Sequence, residues 1–208
     1  LDRMQNAAQR MQLLITDLLA YSRVTTRGEE FEPVDLGAVT NEVLGDLEAR
    51  IVELDATVDV GELPVVDADR TQMRQLMQNL ISNALKFHRD GERPVIRIRG
   101  AVHPAKASRF EGELAAAERC VITVEDNGIG FEQKYADRVF GAFERLHGRS
   151  SYEGTGIGLS IARKIVWRHG GDISVTSEPD RGSTFAVTLP RSHAGSAAAH
   201  ATPDRAAA

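Results

Sequence analysis

The chain has 208 residues, room for one medium domain with an appendage, because a core of about 150 residues would bury roughly 70% of its unfolded surface. Its 25 basic and 30 acidic residues give a net charge of −5, so no global field favours nucleic acid. No stretch approaches the ~18 apolar residues of a membrane span, no signal peptide opens the chain, and the single cysteine excludes an intrachain disulfide, leaving a reducing cytoplasm as the default setting.

Residues 1–24 carry apolar or small side chains at Leu1, Met4, Ala8, Met11, Ile15, Leu18 and Ser22, in steps of three and four. That is a coiled-coil seam, widened by Leu14 and Tyr21, so the helix should pack against more than one partner. A chain opening on Leu inside this pattern reads as a fragment of something longer. Residues 25–35 form a polar linker through Pro33, with Asp35 placed to cap the next helix. The spacing of Leu36, Val39, Val43, Leu47 and Ile51 predicts one helix to about residue 54. Short strands are expected at 57–60 and 63–66, separated by Gly61. Asp69 then caps a helix to about Phe87, with Met73, Leu76, Leu80 and Leu85 facing inward.

Residues 95–100 alternate apolar and charged side chains, as a strand with one wet face should. A polar, Ala-rich excursion follows at 102–118, then a strand at 119–125 that buries Cys120 as an inert thiol. A short helix is expected near 133–140, a longer one at 158–168, and strands at 172–177 and 184–189 around an Arg181-Gly182-Ser183 turn. Residues 192–208 show no periodicity and read as a disordered tail. Strand pairs with helices segregated to one side predict an α+β fold over 36–191: a two-layer sandwich, a mixed sheet packed on three helices, preceded by the coiled-coil-like helix.

Three clusters carry chemistry. Asn79, Asn83 and Lys86 share one helix face by their spacing of four and three. An Asn carbonyl oxygen is a suitable hard ligand for magnesium, and a Lys can neutralise phosphate oxygens. Exposed Asn and Lys can equally well solvate a surface, but these flank the core positions Leu80 and Leu85. Asp126 ends an apolar strand, where a carboxylate can accept from the exocyclic amine of adenine. Gly128 and Gly130 remove side chains beside it. Asp-Asn-Gly is also ordinary turn chemistry, and taken alone the two readings stay level.

The third cluster, Gly154-Thr155-Gly156-Ile157-Gly158-Leu159, opens a helix and offers freed backbone N–H groups to phosphate. It is not a P-loop, which requires Lys-Ser or Lys-Thr where Leu159-Ser160 stands. Nor is it a dinucleotide turn, because the polar residues 147–153 cannot be the buried strand before it. Phe140 and Phe143 are placed to anchor a polar lid over 145–155, from which Arg145 or Arg149 could reach phosphates.

Taken in order, NLISNALKF from Asn79, VEDNGIG from Val124, VFGAFERLHG from Val139, GTGIGLSIARKIV from Gly154 and GSTFAVTLP from Gly182 resemble the nucleotide-binding boxes of sensor histidine kinases. These belong with the gyrase, Hsp90 and MutL ATPases. The stretch from Phe143 to Leu159 looks particularly like kinases attached to phytochrome or PAS sensors. The resemblance implies ATP and Mg2+ as ligands. Asn83 would hold the magnesium, Asp126 the adenine amine, and Thr184 would support that carboxylate through water. Lys86 would lie at the phosphates, with Gly154, Gly156 and Gly158 in the lid hinge and phosphate cradle. Phe87, Gly128, Gly130, Thr155 and Leu159 would complete the nucleotide site, and Asn79, Lys86 and Arg145 would be its catalytic groups.

Asn79 occupies the position where related ATPases carry a Glu that activates water. An amide is no base, so hydrolysis should be slow and the γ-phosphate left for another acceptor. In the family that acceptor is a His on the first helix of a dimeric hairpin, and residues 1–24 resemble the second helix. None of the six histidines stands in a helical His-Asp or His-Glu context, so none is expected to be the acceptor. The implied protein is the ATP-binding part of a homodimeric protein histidine kinase serving a response regulator. A stand-alone ATPase and a nucleotide-binding scaffold are the alternatives.

Overall fold

The computed structural model describes residues 11–12, 14–16, 18–22, 24, 28–104, 118–144, 146 and 155–192. The expected disordered tail beyond 192, the first ten residues of the coiled-coil seam and most of the 102–118 excursion lie outside the described residues. Among the described residues, seven strands and four helices follow the N-terminal helical residues: β1 (Glu32–Asp35), α1 (Leu36–Asp46), α2 (Glu48–Glu53), β2 (Thr57–Val60), β3 (Val65–Ala68), α3 (Arg70–Lys86), β4 (Val95–His103), β5 (Arg119–Asp126), α4 (Gly158–Arg168), β6 (Asp172–Glu178) and β7 (Gly182–Pro190).

A five-stranded sheet runs in the order β2-β4-β5-β7-β6. β2 and β4 are parallel, and the other neighbours are antiparallel. Alternation along the strands sends Ile96, Ile98, Cys120, Ile122, Val124, Phe185, Val187 and Leu189 into the core. Their neighbours form the opposite face, where Arg97 pairs with Glu125 and Arg99 with Asp59. α3 and α4 close the core through Met73, Leu76, Leu80, Ile81, Ile161, Ile165 and Val166. The expected two-layer α+β sandwich is therefore present. Burial pushes the Cys120 thiol up to about 11, which leaves it unreactive at neutral pH.

Four local expectations differ. Residues 32–35, assigned to the linker, form β1, which pairs antiparallel with β3 in a separate two-stranded sheet. β3 starts two residues later than expected: Pro64 O accepts from Leu36 N (3.4 Å), but Pro64 has no N–H to return the bond. The single helix over 36–54 is divided at Leu47, whose ψ of 2° follows Gly45-Asp46, two poor helix formers. Two 3₁₀ turns, Gln133–Tyr135 and Arg138–Phe140, replace the short helix at 133–140. The Gln133 amide bonds the β6 backbone at Val175 O (3.0 Å) and Ser177 N (2.9 Å), so this segment follows the sheet edge.

The caps behave as read. Asp35 Oδ1 accepts from Gly37 N and Ala38 N, and Asp69 Oδ1 accepts from Gln72 N at 3.0 Å. Asp69 does more than cap. Its Oδ2 accepts from Glu29 N (2.8 Å) and from the Arg168 guanidinium (3.1 Å), and its own N–H donates to His169 Nε2. His169 is buried at the end of α4 with Nδ1 2.8 Å from Ile165 O, so Nδ1 carries the proton and Nε2 accepts. It ends a helix, as its Gly-Gly successor suggested.

Candidate functional site

Asn79, Asn83 and Lys86 lie half-buried along α3, on the flank of its buried stripe. Asn79 meets the first turn of α4: its Oδ1 is 3.5 Å from where a Cβ on Gly158 would stand. Its Nδ2 is buried without a hydrogen-bond partner among the described residues. Beside that orphaned donor, α4 begins at Gly158 with no side-chain cap, its N-cap residue being Ile157. Uncapped N–H groups, the helix dipole and a spare amide donor together favour an anion there.

The end of α3 is tied to the Asp126 loop. Phe87 N–H donates to Asn83 O (3.0 Å), and Phe87 O accepts from Ile129 N–H (2.9 Å). The Lys86 ammonium stands 4.3 Å from the Phe87 ring centroid. Asp126 closes β5 facing the helices, and its Oδ1 accepts from Gly128 N (2.8 Å) and Ser183 N (3.2 Å). Among the described residues no donor meets Oδ2, which leaves one oxygen of a fixed carboxylate for a ligand. Burial pushes this carboxyl up to about 6, against the opposing pull of its two backbone hydrogen bonds.

Gly128 and Gly130 have a packing reason beyond access for a base. A Cβ on Gly128 would fall 2.3 Å from Phe87 O, and one on Gly130, at φ +57°, would fall 2.0 Å from Glu178 O. Asn127 is occupied structurally, its side chain accepting from Val95 N and donating to Arg93 O. Gly156 (φ +78°) accepts from Phe143 N, and Thr155 Oγ1 accepts from Ile157 N, so the C-terminal end of the glycine loop folds back on the 140–143 turn. Leu159 lies half-buried in the first turn of α4. Arg145, Arg149 and Gly154 lie outside the described residues.

Thr184 requires a correction. It pairs with Glu125, and strand alternation turns both to the face away from the helices. Opposite Asp126 is Ser183, which sequence reading missed by one position. The signal was available: Phe185, Val187 and Leu189 fix the inward phase of β7, and counting back by twos lands on Ser183.

Residues 68–193 match the family described as histidine kinase-, DNA gyrase B-, and HSP90-like ATPase. The chain belongs to that family. Among its relatives is cyanobacterial phytochrome A of Nostoc sp. (strain PCC 7120), 43% identical over 180 residues, or 86% of this chain and 22% of the relative. The chain thus spans about a fifth of that protein's length. The catalytic domain of histidine kinase ThkA, in a nucleotide-free form, is 26% identical with a TM-score of 0.61, covering 79% of this chain and 100% of that one. ThkA in complex with the response regulator TrrA, at 23% identity and TM-score 0.64, shares the fold over 91% of this chain and 50% of that one. This histidine-kinase-type domain corresponds to the ATP-binding catalytic portion of two-component sensor kinases. No helix among its described residues is long and apolar enough to cross a membrane.

Proposed function

We propose that this chain binds Mg-ATP and delivers the γ-phosphate to a histidine carried on a separate helix, for relay to a response-regulator aspartate. The observation that carries the reading is the Asp126 carboxylate, fixed through Oδ1 by two backbone N–H groups with Oδ2 left over. Adenine's exocyclic amine is the complementary donor. The orphaned Asn79 amide beside the uncapped start of α4 suits a polyphosphate, and Lys86 and Arg145 would neutralise it. Among the described residues no three His, Cys, Asp or Glu side chains converge as a metal site. A magnesium ion would therefore rely on phosphate oxygens, water and the Asn83 amide, ligands that suit its preference for oxygen. When bound it would supply charge neutralisation between the phosphates.

In the transfer, an imidazole nitrogen attacks the γ-phosphorus, the bond to the bridging oxygen breaks, and ADP departs. The contribution of the chain is positioning and charge stabilisation. Asn79 offers no base for water, which favours transfer over hydrolysis. Met11, Leu14, Ile15, Leu18 and Leu19 are all exposed on the N-terminal helical residues. They suit a helical partner in a homodimeric protein, with 1–24 a helix of a dimerisation unit and 36–191 the ATP-binding domain.

The test mixes this chain with a helical hairpin bearing His next to Asp or Glu and γ-labelled ATP. Acid-labile, base-stable label on the hairpin is expected. Nucleotide binding without such label would sink the transfer role while leaving the binding site intact.

A further inference from the structure

The row that crosses the sheet at Asp126 continues beyond it: Asp126 pairs with Ser183 on β7, and Ser183 pairs with Ser177 on β6. All three face the helices, and Ser177 and Ser183 are buried. Ser177 occupies the inward position that Ile173 and Val175 hold earlier on the same strand. Its hydroxyl joins three segments. It accepts from Phe131 N (2.9 Å), donates to Gly182 O (3.0 Å), and lies 2.9 Å from Ser183 Oγ.

A hydroxyl has one proton. The Gly182 carbonyl can only accept, so it takes the proton of Ser177. The Phe131 amide can only donate, so it occupies one lone pair. The remaining contact is satisfied only if Ser183 donates to Ser177. Ser183 Oγ is then left with acceptor capacity alone, beside a carboxylate that also only accepts.

We propose that Ser177 is a positioning residue for base selection: by taking the proton of Ser183 it makes this wall of the site acceptor-only and selects a 6-amino purine. This rests on the nucleotide reading above. A 6-oxo purine could offer N1–H to Asp126, but its O6 would then face acceptors. Removing Ser177 frees the Ser183 hydroxyl to rotate and donate to O6.

The experiment is calorimetric titration of the 208-residue chain with ADP and with inosine diphosphate. The wild-type chain should favour ADP. Ser177→Ala should reduce that preference roughly tenfold, the value of one hydrogen bond made or opposed. Ser177→Thr, which restores a hydroxyl, should recover it. Ser183→Ala leaves both backbone partners of Ser177 in place and should lower the preference by a similar factor. In its background Ser177→Ala should move the ratio no further. An unchanged ratio in Ser177→Ala or Ser183→Ala, with ADP still bound, overturns the role of Ser177 alone. Failure of the wild-type chain to bind ADP overturns the nucleotide reading, and this inference with it.

Discussion

Burial of the Asp126 carboxylate opposes folding at the same atoms that the proposed function assigns to binding. Its pKa in the folded chain, about 6, lies above the ordinary 3.8. The folded state therefore holds the proton more tightly than the unfolded chain. Stability from this group is full below about pH 4 and is lost as pH rises through 6. At pH 8 the ionised, desolvated carboxylate weakens the fold by an amount on the order of 1–3 kcal/mol. Asp126→Asn should raise the unfolding free energy at pH 8 by that order, with the gain vanishing near pH 4. A urea titration at the two pH values checks this. Binding should move the other way. The Asn oxygen can keep both backbone bonds, which turns its NH2 towards the amine of the base. We expect at least about a tenfold loss of ADP affinity by calorimetry. In the unsubstituted chain ADP affinity should fall as pH drops through 6, a dependence absent from Asp126→Asn. Unchanged affinity in that variant would remove the adenine contact.

At the scale of elements, what could be read from the sequence was what strong local signals determine. α3 was legible because its Asp69 cap and its inward stripe agree, and α4 because a glycine cluster opens it and Gly170-Gly171 stop it. The pairs of strands were legible from alternation. β1 was not, because four residues containing a Pro carry no period and depend on β3 for partners. The partners of β2 were equally hidden: a parallel pairing with β4 follows from packing across 38 residues of sequence, as Thr57 opposite Val95 shows. The residues of the candidate site could be named from the sequence, but their facing was misplaced by one position at Ser183, since register decides which of two neighbouring hydroxyls faces the carboxylate. Gly182 tests the register. It sits at φ +99° with Asp126 O 1.9 Å from the Cβ it lacks. Gly182→Ala should cost about 2–4 kcal/mol by denaturant titration, combining left-handed strain with a backbone clash. It should also weaken ADP binding, because the Ser183 N–H moves with the turn. A mild effect on both would mean that the β6–β7 turn is held less tightly to β5 than these contacts require.

Across the whole molecule, the two helices that carry the proposed nucleotide groups at one end hold the N-terminal segment at the other. Asn83 and Lys86 lie near the C-terminus of α3 and Gly158 at the N-terminus of α4. Asp69 and Gln72 stand at the opposite end of α3, and Lys164, Arg168 and His169 towards the opposite end of α4. At 1.5 Å per residue, Asp69 and Asn83 are about 21 Å apart along the axis. Here Gln72 donates to Val24 O and Lys164 to Tyr21 O. Arg168 bridges Asp69 and Glu29 O and covers Gly28, while Phe31 stacks on His169 at 4.6 Å. Such a part-buried network should be worth more than the surface ion pairs between Arg50 and Glu53 or Arg97 and Glu125, each about 0–1 kcal/mol. Arg168→Ala removes the two bonds that join Glu29 and Asp69 through the guanidinium, and leaves the core side chains of α4 in place. The Glu29 amide, now bonded to Asp69, should then exchange at least about tenfold faster in hydrogen–deuterium exchange. ADP affinity should stay within about twofold of the unsubstituted chain, because the change lies at the far ends of both helices. If Glu29 exchange were unaltered, the segment would be held by its bonds to Asp69, Gln72 and Lys164 and by Val24 and Phe31 packing, without help from the guanidinium. If affinity also collapsed, the two ends of α3 and α4 would be coupled through the helices rather than independent.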